Sequence, residues 1–221
     1  MGIADRLADV ITGLAASRPR LTVAIDGPDA AGKTTLARQA ASRLALPAVV
    51  AAADGFHRPR QDRYQRGELS AEGYYRDSFD YQAIISQCLA PFRDGAPAIR
   101  TAGYDFRSAT SRADQAAVPA TAILIFDGVF LQRPELAGFW DLAIYLRVSP
   151  DTTVRRAMTR DQGLLGPPQE IRRRYLARYL PGQALYRDEA APEDTAHIVI
   201  GNDDPQNPVV IKWQPPRVVP H

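Results

Sequence analysis

The stretch Leu21-Thr22-Val23-Ala24-Ile25-Asp26-Gly27-Pro28-Asp29-Ala30-Ala31-Gly32-Lys33-Thr34-Thr35 decides the fold. It opens as a β-prone apolar run, passes through a glycine-bounded loop, and leads into helix-prone residues from Thr34 to Leu46. Between strand and helix, Gly27 to Thr34 fits G-x-x-x-x-G-K-[ST] at every fixed position. The glycines let the backbone wrap around a phosphate, so that N–H groups and the helix N-terminus face the anion. Lys33 is then placed to reach the β- and γ-phosphates of a bound nucleotide, and the Thr34 hydroxyl to ligate Mg²⁺. Asp29, Ala30, Ala31, Gly32 and Thr35 complete the cradle. Lysine usage supports the assignment: Lys33 and Lys212 are the only lysines, because arginine supplies the other basic residues.

Outward from this loop, two further apolar runs end in the same way. Ala48 to Ala53 stops at Asp54-Gly55, and Ala122 to Phe126 stops at Asp127-Gly128. In open α/β sheets ligands bind beyond the carboxyl ends of the strands. Asp127 is therefore a candidate to hold Mg²⁺ directly or through water, and Asp54 to accept a hydroxyl proton or share in the metal shell. Asp-Gly is also ordinary turn chemistry, but the neighbouring phosphate loop favours function.

The remaining pattern alternates. Ile3 to Ala16 reads as an amphipathic helix with Ile3, Leu7, Val10, Ile11 and Leu14 on one face. The Arg- and Tyr-rich segment from Phe56 to Tyr81 reads as surface, followed by a helix from Tyr81 to Arg93, a strand from Ala98 to Phe106 and a polar Ser/Thr/Arg loop. Leu142 to Val148 is a further strand, Asp151 to Asp161 a helix, Gly163 to Pro168 a loop, and Glu170 to Tyr179 a helix. His197 to Ile200 is a last core strand and Val209 to Trp213 an edge strand, with Pro215, Pro216 and Pro220 opposing regular structure beyond. Strands alternating with helices imply an α/β fold with a mostly parallel sheet covered on both faces.

Composition narrows the class. A chain of 221 residues with 45% hydrophobic content suits one α/β domain. A net charge of +2, left from 27 basic and 25 acidic residues, argues against nucleic acid or an anionic membrane as partner. Cys88 lies among Ile84, Ile85, Leu89 and Phe92 at helical spacing, so it reads as a buried core thiol. Asp5, Arg6 and Asp9 interrupt the apolar N-terminus, and no run approaches a membrane span, so the expected location is cytoplasmic. A homo-oligomer remains open.

Taken in order, these residues resemble the uridine kinase family of P-loop kinases, with its phosphoribulokinase and pantothenate kinase relatives. The resemblance spans about Leu21 to Val210 and rests on Gly27 to Thr34, Asp54-Gly-Phe-His57, Tyr75-Arg-Asp77-Ser-Phe-Asp80 and Tyr104-Asp105-Phe106. It continues through Phe126 to Phe130, Ser149 to Asp161, and Ala196 to Ile200. It implies the P-loop NTPase fold, with ATP and Mg²⁺ as cofactors. It also implies an N-terminal helix at 1–20, a kinase domain at 21–210 with a lid at about 155–175, and a tail at 211–221. By this resemblance Asp54 is the base that activates the acceptor hydroxyl, and Asp127 stands where many relatives carry a metal-associated glutamate. Asp77 matches an aspartate that grips ribose hydroxyls, and Tyr104 and Phe106 match aromatics bordering the acceptor. Arg155, Arg156 and Arg160 lie on the segment matching the lid.

The chain departs from the uridine kinases at Ala109, where they carry a histidine that reads the pyrimidine edge. Its 163–168 loop also lacks their lid arginine. Asp54-Gly-Phe-His57 looks more like the pantothenate- or sugar-kinase side, with His57 against the acceptor or solvated in a loop. His197 reads as structural, the Arg172 to Arg178 cluster as a solvated helix face, and Arg107 and Arg112 as ordinary loop arginines. Three functions remain open: a kinase for a nucleoside or nucleoside-like polyol, one for pantothenate, a sugar, glycerate or nicotinamide riboside, and an NTP-binding regulatory protein without an acceptor. Retained Asp54, Asp77, Tyr104 and Asp127 speak against the last.

Overall fold

The computed structural model describes residues 2–217, so the expectation for Pro220 lies outside the described residues. Its strands are β1 (Arg20–Asp26), β2 (Ala48–Ala52), β3 (Ala98–Asp105), β4 (Thr110–Ala117), β5 (Ala122–Gly128), β6 (Leu142–Arg147), β7 (Ile198–Gly201) and β8 (Val209–Trp213). Six form one sheet in the order β2-β5-β1-β6-β7-β8, parallel except for β8, which runs antiparallel along the edge.

The two central strands explain the architecture. Every residue of β5 is buried, as is every residue of β1 after Arg20, because a parallel sheet covered on both faces takes continuous apolar runs. Side chains alternate across it. Val23, Ile25, Ile123 and Ile125 enter one core with Leu7 and Ile11 of the helix Ile3–Ala15. Ala24, Leu124 and Phe126 enter the other, with Phe92, Phe130 and Tyr186. Each such aliphatic side chain contributes about 1.5–3 kcal/mol on burial, which fixes the N-terminal helix to the sheet. Cys88 is fully buried, and burial pushes its thiol up to about 12. No helix of the described residues is long and apolar enough to cross a membrane.

Register assembles the site. Asp26 lies opposite Gly128, Ile25 opposite Asp127, and Ala52 opposite Asp127. The carboxyl ends of β1, β2 and β5 therefore bring the 27–34 loop, Asp54 and Asp127 to one edge of the sheet.

Several expectations are corrected. The strand read at 98–106 forms, but outside the main sheet: β3 pairs with β4 in a separate antiparallel hairpin. β4 occupies most of the presumed polar loop, and its residues are almost all exposed, so no buried face marked it. The segment 56–81 is not surface throughout, since Phe56, Tyr74, Tyr75, Ser78 and Phe79 are buried. Half of the 163–168 loop is a helical turn, Gln162–Leu165. The helix after it does not stop at Tyr179. It passes through a π turn, Tyr175–Tyr179, into the helix Leu180–Ala190, with Pro181 directly after the wide turn. Gly182 is required there by close approach, because a Cβ would lie 2.6 Å from Tyr74 Cδ1 and 2.9 Å from the Ala71 carbonyl.

Candidate active site

The phosphate loop is shaped by its backbone. Gly27 has φ +147°, and a Cβ there would lie 2.5 Å from the Leu146 carbonyl oxygen, so only glycine fits. Gly32, at φ +94°, caps the helix Lys33–Ala41 from the left-handed region, and Ala30 shares that region at φ +56°. Asn202 Nδ2 donates to the Ala31 carbonyl at 2.7 Å, and Arg156 Nη1 to that of Ala30 at 3.2 Å. Beneath the loop, buried Asp26 accepts from the Gly27 N–H at 2.7 Å, from Gln132 Nε2 at 3.2 Å and from the Tyr186 hydroxyl. Burial raises its pKa against those three bonds.

A cleft of about 510 Å³ opens above the loop. Asp29, Ala30, Ala31, Gly32, Lys33, Thr34, Thr35, Asp127, Arg156 and Arg160 line its nucleotide end, and Asp54, His57 and Phe106 line it further along. Lys33 Nζ donates to the Pro28 carbonyl at 2.7 Å. Burial lowers the lysine's pKa, opposed by Asp29, Asp127, Asp26 and Asp54. Thr34 Oγ1 donates to Asp127 Oδ2 at 2.6 Å, while Asp127 Oδ1 is buried without a partner. Burial, reinforced by the charge of Asp54, raises the Asp127 pKa despite the bond from Thr34 and the charge of Lys33. An orphaned, desolvated carboxylate oxygen beside a threonine hydroxyl fits a divalent cation. No cluster of three or more His, Cys, Asp or Glu suited to a metal is present among the described residues.

Asp54 sits on a 3₁₀ turn, Ala53–Gly55, directly after β2, with its side chain 71% exposed to the cleft. The cleft walls thin its hydration and so raise its pKa, but the nearby His57 and the charges of Lys33 and Arg160 outweigh that and hold it below the usual carboxylate range. His57 Nε2 lies 3.7 Å from Asp54 Oδ1, and His57 Nδ1 lies 3.1 Å from the Ser78 carbonyl. The ring stacks on Phe79 at 4.4 Å and meets the edge of Phe106 at 4.5 Å. A carbonyl acceptor at Nδ1 turns Nε2 toward the carboxylate.

Two expected residues stand apart. Asp77 is bound by Arg66 Nε at 2.9 Å and does not line the cleft. Tyr104 and Ala109 line a neighbouring groove with Pro59 and Tyr64, because the β3–β4 hairpin turns that way. Sequence reasoning missed Tyr64, Tyr74, Tyr175 and Tyr179, all of which line the cleft. Tyr74 donates to Asp29 Oδ2 at 2.5 Å. Tyr175 donates to Asp161 Oδ2 at 2.9 Å, and Arg160 Nε donates to the other oxygen of that aspartate at 2.6 Å. The i, i+4 spacing of Tyr175 and Tyr179 was the available signal. Arg178, read as solvated, is 3% exposed.

The profile of the Phosphoribulokinase / Uridine kinase family matches residues 22–170, more than half of the chain. The chain belongs to that family. A uridine kinase from Halobacterium salinarum is 24% identical over 144 residues, which is 65% of this chain and 63% of that protein, so the match spans less than two thirds of the relative. The structure of a possible uridine kinase from Bacillus stearothermophilus is similar at a TM-score of 0.67 and 23% identity, covering 88% of this chain and 98% of that one. A D-glycerate 3-kinase from Cryptococcus neoformans is similar at a TM-score of 0.62 and 14% identity, covering 86% and 90%. At these identities the likeness is one of fold, and kinases with different names share it.

Proposed function

We propose that this family kinase transfers the γ-phosphoryl group of ATP to a hydroxyl of a small-molecule acceptor. The observation that carries the reading is the exposed carboxylate of Asp54 in the same cleft as Lys33 and the Thr34–Asp127 pair. Asp54 takes the acceptor's hydroxyl proton, the freed oxygen bonds to the γ-phosphorus, and the bond to the ADP oxygen breaks. Lys33 leaves the Pro28 carbonyl for the β- and γ-phosphates. Thr34 and Asp127 would hold Mg²⁺, with Asp54 near its shell; when bound, it supplies neutralising charge to the phosphate oxygens. Residues 155–175 act as a lid in a domain of 21–210, between a helical segment at 1–20 and a tail at 211–221. There Arg156 and Arg160 face the triphosphate and help exclude water.

The nucleoside reading of the acceptor leaned on Asp77 and Tyr104, which lie outside the cleft lining. The remaining wall of His57, Phe79 and Phe106 supports a compact polyol better than a nucleoside held by its ribose. Asp54→Asn tests the central claim, since an amide of nearly equal volume cannot accept a proton. We expect kcat to fall by about 10²–10⁴-fold with ATP affinity little changed. Near wild-type turnover in that variant would assign the base elsewhere.

A further inference from the structure

Several arginines outside the cleft lining are neutralised by carboxylates. Arg60 pairs with Glu68 at 3.1 Å, Arg66 with Asp77 at 2.9 Å, Arg112 with Asp114 at 2.5 Å, and Arg174 with Glu68 at 3.1 Å. Of the cleft-lining arginines, Arg160 pairs with Asp161 and Arg156 holds the carbonyls of Ala30, Asn202 and Asp203 at the phosphate loop; the other three are placed differently. Arg178 is buried, yet its guanidinium donates only to carbonyls, those of Ser70 at 2.9 Å, Arg63 at 3.3 Å and Glu68 at 3.5 Å. It stacks over Tyr64 and Tyr74 at 4.8 and 5.7 Å. Arg63 has a buried Nε with no partner, and its guanidinium lies 5.5 Å from the Tyr64 ring and 5.9 Å from that of Phe106. Arg107 also lies over the Phe106 ring, at 5.7 Å. Among the described residues none of the three meets a carboxylate within ion-pair distance.

The cleft's own carboxylates do not offset this charge. Asp29 is held by Tyr74, Asp161 by Arg160 and Tyr175, and Asp54 and Asp127 sit at the phosphate loop. In the kinase reading the triphosphate is met by Lys33, Arg156 and Arg160 at the other end of the cleft, which leaves these three arginines unassigned. Arg178 is buried and Arg63 is half-buried with an orphaned Nε, while Arg107 is exposed beside them; a partly desolvated cation without a counter-charge is costly unless an anion joins it.

We propose that the acceptor is an anionic polyol, whose carboxylate or phosphate group seats against Arg63 and Arg107 with Arg178 behind them. This rests on the kinase reading above and adds the chemical class of its substrate. The path from base to anion site is short: Asp54 faces His57, His57 touches Phe106, and Phe106 lies under Arg63 and Arg107. A small sugar acid or sugar phosphate spans it, with its hydroxyl at Asp54 and its anion against the guanidinium groups, where charge-assisted bonds are strong.

The test is a matched acceptor panel with Mg-ATP: neutral polyols, the corresponding sugar acids, the corresponding sugar phosphates, and uridine and cytidine. We expect an anionic member to exceed its neutral counterpart by at least about tenfold in kcat/KM, and the sugar-acid and sugar-phosphate arms identify which anion is taken. Arg63→Gln, and separately the exposed Arg107→Gln, should erase that preference through a higher acceptor KM. A neutral acceptor equal to its anionic counterpart, or a preference that survives both substitutions, overturns the proposal. If no acceptor of any kind releases ADP, the kinase reading fails, and calorimetry with the same acids and phosphates on the ADP-saturated protein decides the anion site separately. Binding that is lost in Arg63→Gln sustains the site, and absence of binding overturns it.

Discussion

The two ends of the cleft are built by opposite means. The nucleotide end centres on one contiguous loop whose backbone is set by Gly27, Ala30 and Gly32 at positive φ, with Asp127, Arg156 and Arg160 added from elsewhere. The acceptor end is gathered from residues far apart in sequence, among them His57, Arg63, Phe79, Phe106 and Arg178, and its contacts are side chains. A triphosphate presents the same oxygens to every kinase, so a fixed backbone cradle suits it. An acceptor varies, so side chains carried on turns and helix faces define it.

This contrast can be broken most severely at Lys33. Lys33→Ala should reduce phosphoryl transfer by about 10³-fold or more for every acceptor alike, because it removes charge at the transferring group. Acceptor-dependent losses, measured across several substrates, would mean that the two ends are not separate. Asp127→Asn should be milder and selective, raising the Mg²⁺ concentration needed for half-maximal rate by about 10-fold or more. A Mg²⁺ titration at saturating ATP checks it, and an unchanged midpoint removes Asp127 from the metal shell. The smallest effect is expected at His57, on the acceptor side. Asp54 is active as the carboxylate, so its contribution is present above its lowered pKa and lost as pH falls through it. His57→Phe keeps a ring against Phe79 and Phe106 but removes a group that lowers that pKa. The acid limb of the kcat profile should therefore move to higher pH; an unmoved limb would show that His57 does not influence the base.

Legibility in the sequence follows the same division. The phosphate loop was readable because its chemistry is local, and Asp54 and Asp127 because each ends an apolar run with Asp-Gly. β4 was hidden because a hairpin exposed along nearly its whole length has no apolar alternation to display. Tyr74 and Phe79 were hidden because arginines beside them gave the segment a solvated look, although the aromatics turn inward. The helix beyond Tyr179 was hidden because proline and glycine ordinarily break helices, whereas here Pro181 follows the wide turn and Gly182 admits Tyr74. Asp77 and Tyr104 were carried over by motif, but the acceptor end depends on where side chains finally point, which a motif does not specify.

The π turn at Tyr175–Tyr179 carries a mechanical implication. A wide turn inserts one residue relative to an α-helix, which advances everything after it by about 100° around the axis. Upstream, the helix is phased so that Ile171 and Tyr175 bury against the segment carrying Arg160. Downstream, it is phased so that Gly182 meets Tyr74 and Tyr186 reaches Asp26 beneath the phosphate loop. The inserted residue works as a coupling between two shafts set at different angles, letting one continuous rod grip both the helix that carries Arg160 and the floor of the phosphate loop.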